Sequence, residues 1–169
     1  MPAESPAPPL ELGDRPVVLL DVDGVVNVFQ CHHAREVVVA PYLPPLKLLP
    51  DTVEALRLLD ANCAIVWCST WGRLVNLDAA AAWGLAPRPW IEPAPAEAAR
   101  RDWKALAVGR TFAAWPGRLA WVEDGFTPAA REWATRRLAA GAPTRLVDVR
   151  ESGLTLPIAE DIVQWGRCD

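Results

Sequence analysis

Two carboxylates one residue apart, Asp21 and Asp23, stand where a buried strand should end, and Gly24 follows them. The run before them, Arg15-Pro16-Val17-Val18-Leu19-Leu20, is apolar, rich in β-branched residues and too short for a helix. That is the profile of a parallel-sheet strand covered on both faces. Ligands of open α/β sheets gather at the carboxyl ends of strands, near the point where strand order reverses. Asp and Gly are also ordinary turn residues, so the pair becomes chemistry only if other polar groups meet it. Ala64-Ile65-Val66-Trp67-Cys68 reads as a second buried strand and ends in Ser69-Thr70; Arg118-Leu119-Ala120-Trp121-Val122 reads as a third and ends in Glu123-Asp124. Lys104 stands at a helix start, one of only two lysines among 17 basic residues. A chain that otherwise uses arginine has a chemical reason for lysine, since the two are not interchangeable.

If these groups converge, each has a task. Several carboxylates around one cleft repel one another, so the set needs a cation or raised pKa values. A small number of hard oxygen ligands suits Mg2+, which keeps waters and commonly binds beside a substrate phosphate. A carboxylate not consumed in holding metal can attack phosphorus, and a second can protonate the leaving oxygen and later deprotonate water. A serine hydroxyl and a lysine ammonium supply donors to the phosphoryl oxygens, where the transition state carries its charge.

The sequence DVDGV, a strand ending in Ser, a Lys, then an acidic pair after a strand resembles the haloacid dehalogenase (HAD) superfamily of aspartate-nucleophile phosphohydrolases. The likeness covers nearly the whole chain after its N-terminal leader. It implies Asp21 as nucleophile and Asp23 as general acid/base, with the Asp23 backbone carbonyl also offered to Mg2+. It further implies Ser69 as the hydroxyl motif, with Thr70 a competing choice, and Lys104 as the lysine motif. Glu123 and Asp124 match the acidic motif, which commonly reads Asp-Asp. Direct metal ligation falls to Asp124, while the longer Glu123 reaches metal through water or steers Lys104. The stretch VWCSTW and the compact layout resemble small bacterial HAD-like proteins, some linked with RNA end repair.

The elements that must position this set alternate strand and helix, which predicts a three-layer, Rossmann-like α/β fold with a mainly parallel sheet. Residues 1–14, rich in Pro and Ala, are expected to form a disordered tail, and 15–169 a single domain. Prolines 41, 44, 45 and 50 exclude a long helix between the first strand and Asp51, leaving a short hairpin or flap around Glu36–Val39. Cys31-His32-His33 lies there without a second cluster at zinc-site spacing and reads as flap surface. Asp51 is expected to cap a helix, with Glu54 completing a capping box. A helix through Ala79 to Trp83 should stop at Gly84, and a short strand is possible at Pro89-Trp90-Ile91. The next helical stretch starts at Asp102 and should end near Gly109. Thr127 and Pro128 open another helix reaching Leu138, a last strand spans Thr144–Val149, and Ile158, Ile162 and Trp165 face a closing helix. Neither interval where HAD enzymes insert a cap, Val25 to about Leu49 or Thr70 to Trp103, has room for an independently packed domain.

At 169 residues and a formal charge of −4, the chain lacks the overall basic footprint of a strong nucleic-acid binder, though a local patch is compatible with it. Four cysteines without CxxC spacing read as reduced, small core residues, and a cytoplasmic location is expected, with no secretory leader or membrane-length apolar run. The expected partner is a phosphorylated substrate, on an accessible or macromolecular phosphate. The competing readings are a nucleic-acid 3′-phosphatase and a HAD-like binding or regulatory domain with little turnover.

Overall fold

The computed structural model describes residue 10 and residues 12–29 and 33–167. The Cys31-His32 part of the flap triplet and the last two residues lie outside them, as do residues 1–9 and 11 of the leader. Leu10 and Leu12, at the end of that leader, lie against the core.

Among the described residues, six strands and four α-helices follow in the order β1 (Val17–Leu20), β2 (Arg35–Val37), β3 (Leu46–Leu48), α1 (Thr52–Asn62), β4 (Ala64–Trp67), α2 (Trp103–Thr111), β5 (Leu119–Glu123), α3 (Pro128–Ala139), β6 (Thr144–Asp148) and α4 (Leu156–Arg167). The main sheet has the order β4-β1-β5-β6, parallel throughout. Its alternating side chains divide the core. Val18, Leu20, Ile65, Trp67, Ala120 and Val122 face α1 and α4. Val17, Leu19, Val66, Cys68, Leu119 and Trp121 face α2 and α3. Burial on both faces explains why the strands read as continuous apolar runs, the three-layer arrangement the sequence predicts. Leu20, Trp67 and Val122 end in register, so the three polar clusters emerge side by side.

The flap is the antiparallel pair β2–β3, whose second strand sits directly after Pro44-Pro45. It is too short to add a domain over the strand ends.

Local expectations are corrected in four places. Asp51 already has helical backbone (φ −102°, ψ 0°) and its side chain caps nothing in α1. Its Oδ2 instead accepts the N–H of Leu156 at 2.8 Å, satisfying a free donor at the start of α4. The segment through Ala79 to Trp83 is a π-turn (Val75–Ala79) followed by a 3-10 turn (Ala81–Trp83), not a regular helix; Gly84, at φ +74°, does stop it. The Asn76 side chain bonds both the carbonyl and the N–H of Arg88 at 2.7 and 2.9 Å, pinning this turn to the segment that follows. Gly109 lies inside α2, which runs on to Thr111. A Cβ there would meet the Trp133 ring at 3.4 Å, so the glycine serves close helix packing instead of a stop. The strand considered at 89–91 is reduced to one bridge, Trp67 to Trp90. The Thr127 cap of α3 forms as expected, accepting the Ala130 N–H at 3.3 Å. Among the described residues no helix is long and apolar enough to cross a membrane.

Candidate active site

β1 delivers Asp21 between the ends of β4 and β5 because it is the inner strand between them. Asp21 is 6% exposed; its Oδ1 accepts the N–H of Val22 at 2.7 Å, which fixes the carboxylate against its own turn. α2 crosses behind the sheet so that its first turn brings in Lys104. The Lys104 Nζ donates to Asp21 Oδ2 at 2.6 Å and to both Glu123 oxygens at 2.9 Å. Burial works against the ammonium's charge, but Asp21 and Glu123 outweigh it and hold Lys104 protonated well above its ordinary range. Glu123 is pushed up, first by burial and then by repulsion from Asp21, against the pull of Lys104. Cys68, behind the cluster, has its thiol driven far up by burial and stays neutral.

Asp21, Glu123 and Asp124 each offer one oxygen to a common space in which these atoms lie within 4.8 Å of one another. Three carboxylates, of which Lys104 offsets only part, are a donor set fit for a hard divalent cation. Gly24 turns the chain away at φ +78°, and a Cβ on it would stand 2.3 Å from Asp124 Oδ2. Only a glycine lets the turn after Asp23 close over Asp124.

The Asp23 carboxylate does not join that group. Its Oδ1 accepts from Asn27 Nδ2 at 2.8 Å and its Oδ2 from Trp71 Nε1 at 3.0 Å, which leaves its backbone carbonyl for the metal role the resemblance implies. Ser69 is buried at the end of β4, and its Oγ accepts the Trp71 N–H at 3.3 Å; Thr70 is exposed. Of the two hydroxyls, only that of Ser69 is buried at the strand end.

Three residues at the site escaped the sequence reading. Trp71 sits inside the VWCSTW stretch, and Asn27 lies four residues after Asp23, so both were near a recognised motif. Arg150 donates through Nε to the Asp124 carbonyl at 2.9 Å from the loop after β6, with no signal in its surroundings.

The family model described as the HAD domain in Swiss Army Knife RNA repair proteins matches residues 17–136, more than half of the chain. The chain belongs to this HAD family. The match spans β1 through most of α3 and so includes Asp21, Asp23, Ser69, Lys104, Glu123 and Asp124. No curated protein and no solved structure matches the chain.

Proposed function

We propose that the chain is a Mg2+-dependent phosphatase that works through an aspartyl-phosphate on Asp21 and takes its phosphate from the end of an RNA strand. The observation that carries the reaction type is the contact of Lys104 with Asp21 beside a carboxylate set able to hold a cation. Asp21 and Asp124, with the backbone carbonyl of Asp23 and with Glu123 directly or through water, would hold Mg2+. The ion would neutralise the incoming phosphate and the carboxylates around it.

In this reading a carboxylate oxygen of Asp21 attacks phosphorus as the bond to the leaving oxygen breaks, and Asp23 gives that oxygen its proton. Asp23 then takes a proton from water, which cleaves the acyl-phosphate and returns free Asp21 and inorganic phosphate. Lys104 and Ser69 present donors to the phosphoryl oxygens, and Glu123 steers Lys104 with both of its own.

The choice of an RNA end is supported by the family's printed description and by the surface around the site. A cleft of about 570 Å3 reaches Gly24 and Asp124 and is bordered by Phe29, which is 59% exposed, and by Arg150. A neighbouring groove of about 680 Å3 shares Arg150 and adds Arg101. Several surface arginines here pair with a carboxylate, as Arg88 does with Asp60 and Arg110 with Glu97; among the described residues, no ion pair engages Arg101 or Arg150. An exposed ring and guanidinium groups outside any ion pair suit a base and a diester phosphate respectively. The test is a phosphate-release screen of the purified protein with Mg2+ over small phosphates, nucleotides and 3′-phosphorylated oligonucleotides, with Asp21→Asn as control. Release from the oligonucleotide that Asp21→Asn abolishes is expected. Release that survives the substitution would overturn the assignment of the nucleophile, and no release from any substrate would favour a binding domain.

A further inference from the structure

Asp23 is held from two sides by side-chain donors. Trp71 Nε1 donates to Oδ2 and Asn27 Nδ2 to Oδ1, at 3.0 and 2.8 Å. Each donor is itself fixed. The Trp71 backbone N–H reaches Ser69 Oγ at 3.3 Å, and its ring packs against the core. Asn27 is 8% exposed; its Oδ1 accepts the backbone N–H of Lys47 in β3 at 2.9 Å, and its backbone carbonyl accepts the Gly24 N–H at 2.8 Å. Indole has one donor and no acceptor, and the acceptor end of Asn27 is already committed to the flap, so neither group can serve Asp23 except as a donor in this orientation.

An aspartate at a strand end has two free side-chain torsions, and a proton donor displaced from the leaving oxygen by about 1 Å forfeits on the order of 100-fold in rate. We infer that Trp71 and Asn27 are the positioning residues of Asp23, and that Asn27 transmits to it the seating of flap strand β3. The inference rests on the reading of Asp23 as the acid/base. Trp71 ties the acid to the hydroxyl segment after β4, and Asn27 ties it to the flap. A shift of the flap therefore moves the carboxyl that must meet the leaving group.

The experiment compares wild type, Trp71→Phe, Asp23→Asn and the double variant on an alkyl phosphate and on an aryl phosphate with a good leaving group. A good leaving group needs little protonation. Trp71→Phe, which keeps the ring and removes the donor, should lower kcat on the alkyl ester by about 10-fold or more, with less loss on the aryl ester and little change in KM. In the Asp23→Asn background the same substitution should add almost nothing, as residues acting through one another are not additive. Equal losses on both esters, or additive losses, would overturn the inference and leave Trp71 a packing residue. A second measurement is independent of turnover: in a 1H–15N spectrum, Asp23→Ala should shift the Trp71 indole N–H and the Lys47 amide, which three hydrogen bonds link through Asp23 and Asn27. Unmoved resonances would overturn the positioning. An inactive wild type with both resonances shifted would instead count against the phosphatase reading alone.

Discussion

Gly24 and Asp124 are in contact without a side chain between them: a Cβ on Gly24 would stand 2.3 Å from Asp124 Oδ2, closer than any real Cβ contact. The turn after the Asp pair and the acidic motif of β5 are therefore one fitted surface. Gly24→Ala must displace the Asp124 carboxylate and also adopt φ +78°, which costs an L residue about 1 kcal/mol. Displacing a ligand this way should weaken Mg2+ binding by at least about 10-fold, with only a modest change in melting temperature. Calorimetric titration of Mg2+ into the two proteins checks it, and equal affinity would remove Asp124 from the metal set.

The choice of metal follows from Asp21. As the proposed nucleophile it must keep an oxygen for attack, and Ca2+, with its higher and more flexible coordination, favours binding both. Mg2+ should support turnover, Ca2+ should bind without supporting it, and excess chelator should abolish activity. Equal rates with the two ions would place the nucleophile elsewhere.

How much of this was legible depended on whether the signal was local. Asp21, Ser69, Glu123 and Asp124 could be placed because each ends an apolar run, and buried parallel strands write such runs plainly. Lys104 could be found because lysine is rare in this chain. Asp51 was misread: it has the residue type and the spacing to Glu54 of a capping box, yet its carboxylate serves Leu156, far along the chain. Gly109 was misread for the same reason, since its neighbour Trp133 belongs to another helix. Arg150 and the partners of Asp23 depend on side-chain directions that only the folded chain sets, and no pattern along the sequence carries them.

Arg137 supplies a prediction about stability. It is 8% exposed, and its guanidinium donates to the carbonyls of Phe112, Trp115 and Gly117 and to Thr144 Oγ1, at 2.7–3.1 Å, while lying over the Trp133 ring. It thereby fixes the loop that feeds β5 and its acidic end. Arg137→Met leaves these carbonyls without their donors and should cost about 3 kcal/mol. In a chain of this size that is about 6–12 °C in Tm. Arg137→Lys keeps the charge but loses the planar fork and should recover only part. Thermal melts of the three proteins decide it, and a lysine variant as stable as wild type would show that the fork is not needed.

The last prediction concerns what the site admits. Among the described residues, the chain builds a two-stranded flap between β1 and α1, and two short turns and a connector between β4 and α2. A small metabolite would thus have few groups to enclose it, while a strand end could lie along the groove past Arg150 and Arg101. Arg101 is exposed and has no ion-pair partner among the described residues. Arg101→Ala should therefore raise KM for a 3′-phosphorylated oligonucleotide several-fold and reduce the salt dependence of its binding by about one counterion, since each phosphate contact releases one. The same variant should leave kcat/KM on an aryl phosphate within about 2-fold, as that substrate has no strand to lie along the groove that Arg101 lines. A preference of the wild type for one small sugar phosphate, or equal losses of Arg101→Ala on both substrates, would show that the open groove does not select the substrate.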